Sequence, residues 1–96
     1  MARVELSAAA IEDLDALILT RSLPGDTRAR VRRSLWHVEQ FPRLGRELSG
    51  RWAGMRFLLG PWRWLLLVYV FLEAEDCVVV VTIQDARSSS AATAAR

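Results

Sequence analysis

Between Gly50 and Arg87 the sequence GRWAGMRFLLGPWRWLLLVYVFLEAEDCVVVVTIQDAR holds three strand-length apolar stretches, with short connections at Gly60-Pro61 and Glu73 to Asp76. Runs of this length, rich in β-branched and aromatic residues and closed by turn signals, read as an antiparallel sheet. Single arginines punctuate them. A guanidinium beside a core is costly unless it is used, so isolated arginines on such a sheet point to an anionic or acidic partner.

Alternation assigns faces to the first two strands. From about Trp52, the residues Ala53, Met55, Phe57 and Leu59 share one side, and Trp52, Gly54, Arg56 and Leu58 share the other. In the second strand Trp62, Trp64, Leu66, Val68, Val70 and Leu72 share a side that is expected to pack on helices. Arg63 and Tyr69 then fall on the open side. The third strand, Cys77 to Ile83, is β-branched throughout, as in a central or well-covered strand, and closes at Gln84-Asp85-Ala86-Arg87.

The first half of the chain has helical periodicity. After a short extended start from Arg3 to Leu6, Ser7 is a fitting N-cap. Ile11, Leu14 and Ile18 then recur on one stripe, with Glu12 and Asp13 on the outer face. Leu23-Pro24-Gly25-Asp26 breaks the helix and starts another near Thr27, whose stripe is Val31, Leu35 and Val38 with Phe41 at its edge, until Pro42 ends it. The predicted fold is therefore α+β: a short N-terminal strand, an α-helical hairpin and a three-stranded antiparallel sheet, in the order β-α-α-β-β-β. It forms one domain over residues 1–87, followed by a flexible Ser/Ala-rich tail from 88 to 96 that has no large apolar residue to anchor it.

Composition narrows the chemistry. A chain of 96 residues holds one core without metals or disulfides, and 52% hydrophobic content leaves apolar surface for another chain. All 13 basic residues are arginine, which reflects either GC-rich coding or selection for bidentate contacts to phosphate or carboxylate. The single cysteine, Cys77, reads as a small buried hydrophobe and excludes an internal disulfide. The longest uncharged apolar run, Trp64 to Leu72, is too short to span a bilayer, and the N-terminus has no signal-peptide pattern. A cytoplasmic protein with no membrane contact, no metal site and no small-molecule cofactor is expected.

Several residues carry two readings. The acidic first helix and the arginine-rich second are solvated faces or docking faces. Arg56 and Arg63 serve a partner, or they pair with an acid such as Glu47 or Glu73. The four tryptophans are core residues or base-stacking platforms, with Trp52 the one to test. His37 lies on the flank of the second helix, away from the sheet arginines.

The element order, Leu6-Ser7 at the first strand end, Glu12-Asp13-Leu14 in the first helix and Pro42-x-Leu44-Gly45-x-x-Leu48 resemble the RelE/ParE superfamily of type II toxin-antitoxin toxins. Arg56, Gly60 before Trp62-Arg63, Tyr69, and Asp85-Ala86-Arg87 continue the likeness, which covers Val4 to about Ser88. It implies a growth-arresting, plasmid-stabilising toxin that a cognate antitoxin neutralises by wrapping its groove and helix hairpin. Members similar to this act in two ways: some enter the ribosome and cleave mRNA through a ribose 2′-OH, others bind DNA gyrase without catalysis.

For the RNA-cleaving branch, Arg63 matches the strand arginine on the scissile phosphate, Arg87 a second arginine at the end of the last strand, and Arg56 lies near a family lysine. Arg51, Trp52, Tyr69 and Asp85 are the further residues expected to touch RNA or a protein partner. Fixed guanidiniums suit charge growing on phosphoryl oxygens. The chain departs from that branch after Arg87, where Ser88-Ser89-Ser90-Ala91-Ala92-Thr93 stands in place of a Tyr or His. Arginine stays protonated, so proton removal falls to Tyr69, Asp85 or the RNA itself. Tyr69 is roughly 20 Å along an extended strand from Arg63, and Asp85 beside Arg87 reads most plainly as an ion pair.

Overall fold

A computed structural model of the chain describes residues 1–94. In chain order its elements are β1 (Arg3–Leu6), α1 (Ala8–Thr20), α2 (Thr27–Ser34), α3 (Trp36–Gln40), β2 (Arg46–Glu47), β3 (Arg56–Leu59), β4 (Leu65–Leu72) and β5 (Cys77–Asp85). The expected strand, helices and three antiparallel strands are all present, in that order. The sheet is wider than three strands: its order is β1-β5-β4-β3-β2, with β1 parallel to β5 and every other pair antiparallel.

Helix α1 starts where the sequence places it. Ser7 is extended (φ −67°, ψ 162°) and its Oγ accepts from the Ala10 N–H at 3.0 Å while donating to the Val81 carbonyl, also at 3.0 Å. One hydroxyl thus caps the helix and fastens it to β5. Asp13 does not lie on a solvated outer face, as the stripe implied. Its carboxylate accepts from Thr82 Oγ1 at 2.6 Å and the Ile83 N–H at 3.2 Å, just past a bulge where the β4–β5 register skips Val81.

The second helix is two short ones meeting at Leu35, whose N–H is shared between the Val31 and Arg32 carbonyls at 3.1 and 3.2 Å. The tightened turn keeps Val31, Leu35 and Val38 all buried, whereas Phe41, past the helix end, is exposed. The opposite charges of the two helices meet across the hairpin: Arg28 Nη2 stands 2.6 Å from Asp15 Oδ1. No helix among the described residues is long and apolar enough to cross a membrane.

The face assigned to β4 is inverted. Leu65, Leu67 and Tyr69 face the helices, with Val78, Val80 and Ile83 of β5 beside them, while Leu66 and Val68 face the opposite way. Every residue from Leu65 to Tyr69 is nevertheless at 0% exposure. A strand covered on both faces is apolar at every position, so alternation carries no parity signal. Trp62 and Trp64 do pack at the rim of the helix-side core, but from the turn before β4.

The second face is closed by Leu48, Trp52, Met55 and Phe57, and by Ala91 and Ala92 from the last described residues. Residues 88–94 lack a large apolar anchor and Ser88, Ser89 and Ser90 are exposed, yet Ala91 and Ala92 are buried in one cluster with Leu66 and Val68, and the Ala92 N–H donates to Gln84 Oε1 at 2.8 Å. The first sheet strand is also shorter than the periodicity predicted. Gly50–Trp52 is a 3₁₀ turn between glycines that need left-handed backbone, Gly50 (φ +65°) and Gly54 (φ +90°).

Gly45 is required by close approach. A Cβ there would sit 2.6 Å from the Phe57 carbonyl oxygen and 2.7 Å from the Tyr69 hydroxyl. G45A is expected to destabilise by about 1–3 kcal/mol in chemical denaturation, since backbone and a buried ring must both give way. G25A, with nothing within 4 Å of the added carbon, should be neutral or slightly stabilising.

Candidate anion-binding site

The sheet gathers its most fixed charges at one end. Leu65 pairs with Asp85 and the Ala86 N–H donates to the Trp64 carbonyl at 2.7 Å, so the residues before β4 and after β5 run side by side. Arg63 and Arg87 flank that end. Asp85 is almost fully buried there, and charge at that depth is tolerated only when paired.

The pairing is dense. Arg87 donates through Nε to Asp85 Oδ1 at 2.9 Å and through Nη2 to Oδ2 at 2.8 Å, and its own N–H reaches Oδ1 at 2.9 Å. Arg21, the residue capping the C-terminus of α1, adds Nε and Nη2 to Oδ2 at 3.3 and 3.0 Å. The Arg87 hydrogen bond, then its N–H and Arg21, hold the Asp85 carboxyl far below its ordinary value of 3.8, against the opposing effect of burial. The same bond raises Arg87. Asp85 is therefore ionised and saturated at neutral pH, an anchor for guanidiniums and not a proton acceptor.

A stack of π and cationic groups braces the same end. The Arg87 guanidinium lies 4.7 Å from the Trp64 ring, Trp64 stacks on Trp62 at 5.9 Å and 12°, and Arg30 of α2 covers Trp62 at 5.8 Å. Arg63, between the two tryptophans in sequence, is exposed and makes no hydrogen bond or ion pair among the described residues. His37 lies nearer this turn than its position in the sequence implied. It shares with Arg30, Arg33 and Pro61 a bay of about 390 Å³.

The remaining predicted residues lie elsewhere. Arg56 pairs across strands with Tyr69, four residues into β4 from Leu65, which is roughly 14 Å along the strand. Arg56 does not stand open on the sheet. It donates to the Arg43 and Gly45 carbonyls at 3.1 and 2.8 Å and to Glu47 Oε2 at 3.1 Å, while Glu73 pairs with Arg43. Tyr69 is not an open-side contact residue either: it is buried, its hydroxyl donates to the Pro42 carbonyl at 2.7 Å and accepts from the Gly45 N–H at 2.8 Å, and burial raises its pKa. Arg56 and Tyr69 secure the loop before β2.

Trp52 packs on the second core, on the face opposite to Arg56, and exposed Arg51 lies 5.8 Å from its ring. Of the seven site residues expected, Arg87 and Asp85 bond to each other, and Arg63 lies in the turn two residues before β4, at the same end of the sheet. The residue that sequence reasoning missed is Arg21, the sole basic residue between Arg3 and Arg28. A lone cation at the end of a helix fits the helix dipole, but nothing in the sequence links it to Asp85. Among the described residues no group of three or more His, Cys, Asp or Glu side chains is gathered for a metal.

No family model matches the sequence, and no curated protein matches it. Solved structures do. The chain is similar to a protein in the RelBE2 toxin-antitoxin complex of Mycobacterium tuberculosis (21% identity, TM-score 0.67, covering 88% of this chain and 96% of that one). It is similar to one in the intact E. coli RelBE complex (16%, TM-score 0.65, 92% and 100%) and to a metal-bound toxin from Helicobacter pylori (20%, TM-score 0.68, 88% and 94%). The fold is that of RelE-type toxins.

Because the Asp85 carboxyl is depressed in the folded protein, its stabilisation is fully present above 3.8 and is lost as pH falls below it. D85N should lower stability at pH 7 by about 1–3 kcal/mol, as two arginines lose a charged acceptor. It should also flatten the acid limb of a Tm-against-pH curve; an unchanged acid limb would show that Asp85 is not a principal linkage group.

Proposed function

We propose that this chain is the toxin of a type II toxin-antitoxin pair, acting in the cytoplasm, and that it arrests translation by cleaving ribosome-bound mRNA. The observation that carries the reading is, on a RelE-type fold, an Arg87 whose guanidinium is locked by Asp85 and Trp64 at the end of the sheet where the turn bearing Arg63 precedes β4. Donors that need no reorganisation are what a pentavalent phosphoryl transition state rewards. The structural neighbours include complexes with antitoxins, and this chain offers matching apolar surface. A groove of about 330 Å³ between β1, α1 and α2 is lined by Val4, Leu6, Ile11 and Val31, and Leu19, Phe41 and Leu44 are exposed.

In this reading Arg63 and Arg87 bind the scissile phosphate, the neighbouring ribose 2′-OH attacks phosphorus to form a 2′,3′-cyclic phosphate, and the P–O5′ bond breaks as the 5′-oxygen takes up the proton given up by the 2′-OH, relayed through a phosphate oxygen. Asp85 cannot take the 2′-OH proton, so the RNA itself supplies the acceptor. A second reading, a non-catalytic toxin that binds DNA gyrase, is favoured by that same saturated carboxylate, because binding needs no base.

Induced expression with mapping of mRNA 5′ ends, beside a supercoiling assay with purified gyrase, separates the two. New 5′ ends within translated frames, lost by R63A and R87A with the fold intact, are the expected result; inhibited supercoiling without new ends would establish the gyrase reading. With no group near neutrality beside Arg87, cleavage on isolated ribosomes should rise with pH without a plateau from 6 to 9. A plateau abolished by H37A would make His37 the base instead.

A further inference from the structure

Asp85 gathers two guanidiniums, not one. Both Arg21 and Arg87 bond the same oxygen, Oδ2, at 3.0 and 2.8 Å, so their Nη2 atoms are separated by roughly 6 Å at most. Each arginine spends Nε and Nη2 on the carboxylate, and Nη1 of each makes no hydrogen bond among the described residues. The Arg21 and Arg87 side chains are 44% and 62% exposed, against 8% for the acid between them. Arg21, Arg87 and Asp85 together carry one net positive charge, and a bay of about 300 Å³ opens on the Arg21 side, bordered by Arg21, Gln84, Ser88 and Ser90 and by the carboxylates of Asp85 and of Asp13, the latter engaged by Thr82 and the Ile83 N–H; Arg87 stands outside this lining.

We propose that Arg21 is a second phosphate ligand: with Arg87 it forms a paired-guanidinium receptor for the backbone of single-stranded RNA, its spacing set by Asp85. The inference rests on the RNA reading given above and adds to it a binding residue from α1. Arg87 meets one phosphodiester, and Arg21 meets an oxygen of the same or the adjoining group. Held edge-on by a buried carboxylate, each guanidinium keeps its outer edge for the ligand, and little side-chain entropy remains to be lost on binding.

The test is binding of a labelled 2′-O-methyl oligoribonucleotide, which cannot be cleaved at the blocked sugar, titrated over a series of NaCl concentrations. R21A should weaken binding about tenfold at low salt and reduce the slope of log K against log[salt] by about 0.7, the counterion release of one contact to a single strand. R21K, which keeps the charge, should retain the slope. R32A removes an exposed arginine that has no ion pair among the described residues, on the far side of α2, and should leave the slope unchanged. Should R21A fail to fold, R21Q, which can still donate to Asp85 without charge, takes its place.

A folded R21A or R21Q that binds with wild-type affinity and slope, while R63A and R87A lose binding, overturns the role of Arg21 and leaves the RNA reading standing. Wild-type binding by R63A and R87A as well overturns both.

Discussion

The burial of β4 on both faces is the constraint from which the remaining structure follows. Five consecutive residues, Leu65 to Tyr69, lose all contact with water, and a strand can do this only with neighbours on both edges and a layer on each face. The helices supply one layer and β1 a distant edge through β5. On the other face there is no second sheet, so Leu48, Trp52, Met55 and the segment around Ala91 close it. Removing either layer would expose apolar area worth about 1.5–3 kcal/mol for each large side chain.

Such a strand leaves charge nowhere to sit except at its ends. Beside it, Arg56 at the start of β3 is spent on loop carbonyls and Glu47, which makes it a structural cation. At one end, Asp85 is placed by the ladder itself, opposite Leu65, and must be neutralised. It draws in one arginine from two residues on and another from the end of α1. The arginine cluster is thus a product of the packing as much as of any ligand, and its rigidity comes from the same carboxylate that spends part of its charge.

Much of this was legible in the residues. Ser7 announced the helix start, Pro42 its end, and the three apolar runs the antiparallel strands, because caps, breakers and strand-length hydrophobic runs are local signals. The membership of β1 in the sheet was not legible, since a parallel pairing leaves no turn between its strands, and β2 at two residues is below any periodic signal. The parity of β4 failed for the reason that makes the strand central. Asp13 looked like surface charge, and Arg21 drew no reading, because their partners, Thr82 and Asp85, are more than sixty residues away. Of the candidate site, the Asp85–Arg87 ion pair was readable from their closeness at the strand end, whereas the second arginine on Asp85 required the third dimension.

The parallel pairing of β1 with β5 also governs when the molecule can exist. Ser7, which caps α1, takes its β5 partner 74 residues further along the chain, and β5 is the last strand to be synthesised. Until it emerges from the ribosome, β1 has no neighbour, α1 has no sheet to lie on, and β4 lacks one edge. Contacts of such long range form late and slowly, so a nascent chain lacks its assembled sheet until β5 is available.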